Sequence, residues 1–146
     1  MSTRILIVDD DPASISTLEA FLSEEASSIR SVTQSNQVEQ VFMDFEPDVV
    51  LLDLHMPDPD GLEILRRLRG IRTKLGFVPV IVLTADTGRT ARNSALVLGA
   101  DDFLTKPLDH TEVVLRVRNL LRTRRLYVDL AEAIETLRQG PAVQPR

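Results

Sequence analysis

Five polar residues follow short apolar runs of this sequence, and their types fit phosphoryl-transfer chemistry. They are Asp9, Asp10, Asp53, Thr84 and Lys106. Carboxylates held close together repel one another, so such a group takes up protons or holds a cation. Because the chain has no Cys, carboxylate oxygens favour Mg²⁺ over softer metals. A carboxylate neutralised in this way can attack a phosphoryl group, and a nearby lysine and hydroxyl can bind the phosphoryl oxygens.

Each of these residues also has a purely structural interpretation. Asp9, Asp10 and Asp11 could simply form an acidic turn that caps a helix, and Asp53 could be an ordinary turn residue. Thr84 could cap the following helix, and Lys106 could be a surface lysine. For each residue considered alone, the structural interpretation is favoured over the functional one. The occurrence of all five residues at the ends of four apolar runs favours a shared site.

The apolar runs predict the strands that position these residues. They cover residues 5–8, 49–52, 80–83 and 103–104. Continuous runs of this length are typical of strands buried on both faces, and a more polar strand near residues 29–33 is expected at the sheet edge. Helical spacing of apolar residues between the runs predicts a helix after each strand.

This alternation predicts an α/β fold, a doubly wound five-stranded parallel sheet of the flavodoxin-like order 2-1-3-4-5 with helices on both faces. Ligands of such sheets bind at the carboxyl ends of the strands. In this order the first and third strands are neighbours, so Asp9, Asp10 and Asp53 are expected to converge at that edge.

The last helix is predicted to extend beyond the domain, because residues 110–138 contain neither Pro nor Gly. We divide the chain into a domain at 3–122, a helical extension at 123–138 and a disordered tail at 139–146. Apolar residues three and four apart predict a coiled-coil seam and a homodimer, although the helix could instead fold back on its own domain. The seam comprises Leu120, Thr123, Tyr127, Leu130, Ile134 and Leu137.

Charge and composition bear on the compartment of the protein, on membrane insertion and on nucleic-acid binding. The absence of Cys fits a reducing, cytoplasmic compartment. The apolar run at residues 5–8 is too short for a signal peptide or a membrane span. The net charge of -5 argues against direct nucleic-acid binding. Five arginines in the last helix are predicted to form a solvated face rather than a phosphate or nucleic-acid contact. They are Arg116, Arg118, Arg122, Arg124 and Arg125.

Four motifs in order resemble the receiver domain of bacterial two-component response regulators. They are ILIVDDDP at 5–12, VVLLDLHMPDPDG at 49–61, VIVLTA at 80–85 and GADDFLTKPLD at 99–109. The resemblance covers about residues 3–122 and implies that Asp53 is the phosphoacceptor. It further implies that Asp10 binds Mg²⁺ directly, that Asp9 binds it largely through water, and that the backbone carbonyl of His55 is another ligand.

The resemblance also assigns residues that transmit the signal. Thr84 matches the switch hydroxyl, Phe103 the aromatic switch position and Lys106 the phosphate-binding lysine, while the bond before Pro107 is expected to be cis. The side chains of His55 and Asp86 are expected to tune the dephosphorylation rate.

The implied function is to accept a phosphoryl group from a sensor histidine kinase or a histidine phosphotransfer protein. The surface of the fourth helix, fifth strand and fifth helix would then change and control a partner or a fused effector; the sequence leaves both outputs open.

Three other classes fit the sequence less well. A phosphatase of the haloacid-dehalogenase type needs a second aspartate two residues after the nucleophile, where this chain has His55. An inactive receiver that acts only as an interaction module would lack an acceptor or a ligand, and none is missing. A nucleotide-binding flavodoxin-like domain would need a Gly-rich loop after the first strand, where an acidic segment stands instead.

Overall fold

The computed structural model describes residues 2–71, 73, 76–85 and 89–140. Its centre is one parallel sheet in the order β2-β1-β3-β4-β5, which confirms the predicted topology. The strands are β1 (Arg4–Val8), β2 (Ser28–Val32), β3 (Val49–Asp53), β4 (Val80–Thr84) and β5 (Asp102–Thr105). Every residue of β3 and β4 is buried, whereas most of β2 is exposed at the sheet edge.

In the described part of the chain, five helices cover the two faces of the sheet. They are α1 (Pro12–Leu22), α2 (Val38–Phe45), α3 (Gly61–Gly70), α4 (Arg89–Val97) and α5 (His110–Gln139), and a short 3-10 turn (Ser35–Gln37) precedes α2. Successive side chains of a strand point to opposite faces. Thus Leu6 and Leu52 pack with α2 and α3 in one apolar layer, while Ile7 and Leu51 pack with α1 and α5 in the other.

Helix ends follow the local sequence. The side chain of Asp11 accepts a hydrogen bond from the Ala13 backbone N–H and caps α1, and Pro12 suits the first turn that follows. Asp60 and Asp109 cap α3 and α5 in the same manner. At the C-terminus of α2, the capping residue Glu46 adopts a left-handed conformation with φ 51° and is followed by Pro47.

The expectation of a solvated arginine face on α5 is wrong for Arg124, which is buried, and holds for Arg118, Arg122 and Arg125, which are exposed. Three of the five arginines bind acidic residues of the domain. Arg124 is buried, with a salt bridge of 3.0 Å to Asp48 and a hydrogen bond to the Phe77 carbonyl. Arg116 pairs with Asp102 at 3.0 Å. Arg118 pairs with Glu25 next to α1 at 2.7 Å. These contacts hold α5 to three separate parts of the domain.

The second half of α5 continues without a break beyond the sheet. Its predicted seam is only partly free, because Leu120 packs on the core and the Tyr127 ring lies 5.3 Å from the Phe77 ring. Apart from Tyr127, which is 43% exposed, four large apolar residues remain on the surface of this half and are called the exposed stripe below. They are Leu126, Leu130, Ile134 and Leu137. On a helical wheel they lie about a third of a turn from the core-facing side of α5.

Two expectations fall outside the residues that the structure describes. One is the tuning role of Asp86, and the other is disorder from residue 141 onward. The predicted tail began at residue 139, but α5 includes Gln139, and Gly140 caps it. Among the described residues, no helix combines the length and the apolar character that a bilayer crossing requires.

Candidate functional site

Three aspartates meet at the carboxyl edge of the sheet. Val8 of β1 pairs with Leu52 of β3, so the residues that follow these two positions lie side by side. One carboxylate oxygen from each of Asp9, Asp10 and Asp53 lies within 4.8 Å of the others. The predicted convergence of the three residues is therefore confirmed.

The three carboxylates differ in their surroundings. Asp9 and Asp53 are buried, whereas Asp10 is exposed and forms the open side of the cluster. The Asp11 backbone N–H donates to Asp9 Oδ1 at 2.9 Å, and the His55 N–H donates to Asp53 Oδ1 at 2.9 Å. One oxygen of each buried carboxylate is thus fixed by the backbone just after its strand.

Lys106 reaches the other oxygens of the buried pair. Its Nζ donates to Asp9 Oδ2 at 3.0 Å and to Asp53 Oδ2 at 3.2 Å. A third contact, at 3.3 Å, joins Nζ to Ser14 Oγ in the first turn of α1. The sequence predicted that Lys106 lies at this site but not that Ser14 does, because a serine in the first turn of a helix is too common to indicate a functional site.

Burial and charge shift the pKa values of Asp9 and Lys106. Burial raises the pKa of Asp9, and the negative charge of Asp53 raises it further, against the hydrogen bonds from Asp11 and Lys106. Burial alone would lower the pKa of Lys106, but its hydrogen bond to Asp9 and the charges of Asp53 and Asp9 outweigh burial and raise it. The pKa of Asp9 is thus raised mainly by burial, and that of Lys106 by the two carboxylates that it binds.

The donor set fits a hard divalent cation. It offers carboxylate oxygens from three residues and contains no sulfur or imidazole ligand. One ammonium group cannot neutralise three carboxylates, so a cation beside the exposed Asp10 would relieve their repulsion.

Two predicted switch residues lie on β4 and β5, the two strands that follow β3 in the sheet. Thr84 ends β4 and is buried, and its backbone carbonyl accepts a hydrogen bond from the Lys106 N–H at 2.8 Å. The half-buried ring of Phe103 has the Arg92 guanidinium 4.6 Å from its centroid and that of Arg116 at 5.9 Å. Phe103 therefore has charged neighbours on α4 and α5.

In the loops around the cluster, the structure confirms one predicted cis peptide bond and shows two features that the sequence did not reveal. The peptide bond between Lys106 and Pro107 is cis, as expected, and the bond between Asp58 and Pro59 is also cis. A Cβ atom on Gly61 would lie 2.5 Å from the carbonyl oxygen of Asp53, so α3 starts directly against the end of β3. The His55 side chain is exposed.

Comparison with known proteins identifies related sequences and structures. The family model of the response regulator receiver domain matches residues 5–118. The response regulator PleD of Caulobacter vibrioides is 37% identical over 132 residues, which are 90% of this chain and 29% of PleD. The DNA-binding dual master transcriptional regulator RpaA of Synechocystis is 35% identical over 138 residues, which are 94% of this chain and 57% of RpaA.

A solved structure supports the same relationship. The crystal structure of a response regulator from Chloroflexus aurantiacus is 31% identical to this chain, with a TM-score of 0.76. The match covers 84% of this chain and 99% of that one. By contrast, the chain spans only 29% of the length of PleD and 57% of the length of RpaA.

Proposed function

The chain belongs to the response regulator receiver domain family, and we propose that Asp53 accepts its phosphoryl group. The donor is a sensor histidine kinase or a histidine phosphotransfer protein. The observation that carries this assignment is the position of the Asp53 carboxylate. It lies at the end of β3, within 4.8 Å of Asp9 and Asp10 and hydrogen-bonded to Lys106.

The chain's own residues favour attack by this carboxylate. Asp53 forms a new bond to phosphorus, the bond from phosphorus to the donor imidazole nitrogen breaks, and the imidazole takes up a proton. The His55 N–H fixes one Asp53 oxygen, and Lys106 places positive charge where the phosphoryl oxygens would lie. Asp9, Asp10, Asp53 and the His55 carbonyl would hold Mg²⁺. When bound, Mg²⁺ would neutralise the carboxylates and orient the phosphoryl group.

Phosphorylation is proposed to shift the domain between two conformations. The Thr84 hydroxyl would bind the phosphoryl group, and Phe103 would move inward into the space that this opens. The surface of α4, β5 and α5 would repack as a result. The exposed side chain of His55, together with Asp86, would tune hydrolysis of the phosphoryl group.

Partners and output belong to the same proposal. We infer a signalling domain whose only chemistry is its own phosphorylation and dephosphorylation, located in the cytoplasm, which the absence of Cys fits. The exposed stripe of α5 supports a homodimer formed through this helix. RpaA is described as DNA-binding, but the net charge of -5 of this chain argues against its own direct binding to nucleic acid.

Intact-mass spectrometry after incubation with acetyl phosphate and Mg²⁺ tests the assignment. Wild type should gain one phosphoryl group, which hydroxylamine should remove because it cleaves acyl phosphates. The Asp53→Ala variant should gain none, while Asp44→Ala, at an exposed position of α2, should behave as wild type. Equal uptake by Asp53→Ala would contradict the proposal.

A further inference from the structure

The ammonium group of Lys106 has three protons, and the structure gives each of them an oxygen partner. Two partners, Asp9 and Asp53, belong to the acidic cluster. The third is the hydroxyl of Ser14, 3.3 Å from Nζ. Because an ammonium cannot accept a hydrogen bond, Ser14 must be the acceptor in this contact.

A second contact orients the Ser14 hydroxyl. Ser14 Oγ lies 3.4 Å from Asp11 Oδ2, while Asp11 Oδ1 accepts from the Ala13 N–H at 3.0 Å and caps α1. The hydroxyl proton can therefore point to Asp11 and leave the oxygen lone pairs toward Lys106. Ser14 is itself half-buried, and the Lys106 side chain is only 22% exposed, so water competes weakly for this contact.

We propose that Ser14 is a positioning residue that holds Lys106 for the incoming phosphoryl group, an inference that rests on the proposed function. Phosphorylation of Asp53 removes charge from the carboxylate that Lys106 binds at 3.2 Å, so that contact weakens. Asp9 and Ser14 retain the other two protons of the ammonium group. The third proton is then directed at the phosphoryl oxygens, because the ammonium group is already oriented before the phosphoryl group arrives.

A purely structural role of Ser14 would have different consequences. Ser14 could contribute only to the start of α1 through Asp11, and its loss would then lower stability whatever residue stood at position 106. Positioning of Lys106, by contrast, requires Lys106 to be present. The two roles are separated by measuring Ser14→Ala with and without the lysine, since coupled residues show non-additive effects.

The test measures the rate of phosphorylation by acetyl phosphate with Mg²⁺, using intact mass. Ser14→Ala should react about three- to tenfold more slowly, which is the effect of losing one ordinary hydrogen bond. Ser14→Thr keeps the hydroxyl and should restore most of the rate. Ser16→Ala, at an exposed position of the same helix, should match wild type.

The decisive comparison uses the Lys106→Ala background. There, Ser14→Ala should change the remaining rate less than about twofold, because the group that it positions is gone. An equal slowing in both backgrounds, or an unchanged rate of Ser14→Ala with Lys106 present, would overturn the role of Ser14 while leaving the proposed function intact. Wild type that takes up no phosphoryl group would overturn both. Thermal melts of each variant show whether α1 still folds.

Discussion

Asp10 differs from the other clustered aspartates because its side chain faces solvent, whereas Asp9 and Asp53 are buried. An entering cation would meet Asp10 first, and its binding would stabilise the folded state by an amount that rises with the logarithm of the cation concentration divided by its Kd. The neighbouring Asp11 provides a natural contrast, since its carboxylate caps α1 and is not part of the cluster.

This contrast gives a metal-binding prediction at the scale of single residues. Mg²⁺ should raise the melting temperature of wild type, and excess EDTA should reverse the rise. Asp10→Asn should lose most of the response because a ligand charge is gone. Asp11→Asn loses the same charge, keeps a capping side chain and should respond as wild type. Equal responses of the two variants in a thermal melt would exclude Asp10 as a ligand.

Inward movement of the Phe103 ring would cost free energy, because two guanidinium groups contact the ring in its present position. The Arg92 and Arg116 guanidinium groups lie 4.6 and 5.9 Å from its ring centroid. Such contacts contribute about 0.5–1 kcal/mol each at exposed sites. Inward rotation of the ring would break them, so the phosphoryl contacts of Thr84 and Lys106 would have to offset that loss.

At the scale of elements, the join between β3 and α3 places Asp53. A Cβ atom on Gly61 would lie 2.4 Å from Leu54 Cα and 2.5 Å from the Asp53 carbonyl oxygen, both of them backbone atoms that cannot rotate away. Gly70, at the other end of the same helix, has no atom within 4 Å of such a Cβ. Packing against the backbone therefore requires glycine at position 61, whereas it places no such requirement on position 70.

Gly61→Ala should lower the free energy of unfolding by about 1–3 kcal/mol, the usual cost of overpacking. It should also slow phosphorylation, because the backbone at Asp53 must move. Gly70→Ala should be neutral or stabilising by up to about 1 kcal/mol, since Ala favours helix more than Gly does. Urea unfolding measures both effects. Equal stability of the two variants would show that the α3 start can shift freely.

Elements were largely predictable from the sequence because each signal is local. The apolar runs that became β1, β3 and β4, the Asp11 cap of α1 and the convergence of three aspartates all follow from short stretches of chain. Contacts between distant residues could not be predicted in this way. Arg124 looks like a solvated helix residue until Asp48, 76 positions away, is found beside it.

At the scale of the whole molecule, α5 leaves a row of large apolar side chains without a partner in the part of the chain that the structure describes. Leu130 is 60% exposed and Leu137 is 79% exposed. Burial of a leucine side chain contributes about 1.5–3 kcal/mol, so pairing of the exposed stripe with that of a second copy would be favourable.

Light scattering after size-exclusion chromatography tests this pairing. Wild type should be a dimer, or become one after phosphorylation, and the double variant Leu130→Glu/Ile134→Glu should be a monomer because buried charges repel. The double variant Thr136→Glu/Gln139→Glu adds the same charge away from the exposed stripe and should remain like wild type. A wild-type monomer with and without acetyl phosphate would contradict pairing through α5.

The continuity of α5 has a mechanical consequence. Its first half rests on β5 through Arg116 and Asp102, and Arg124 and Tyr127 hold it against Asp48 and Phe77. The 12 residues from Val128 to Gln139 extend about 18 Å from that last support, at 1.5 Å per residue. A tilt of about 10° at the base would displace the tip by about 3 Å over that length. The helix is thus a lever arm, whose far end would magnify small movements of the sheet edge that carries Phe103.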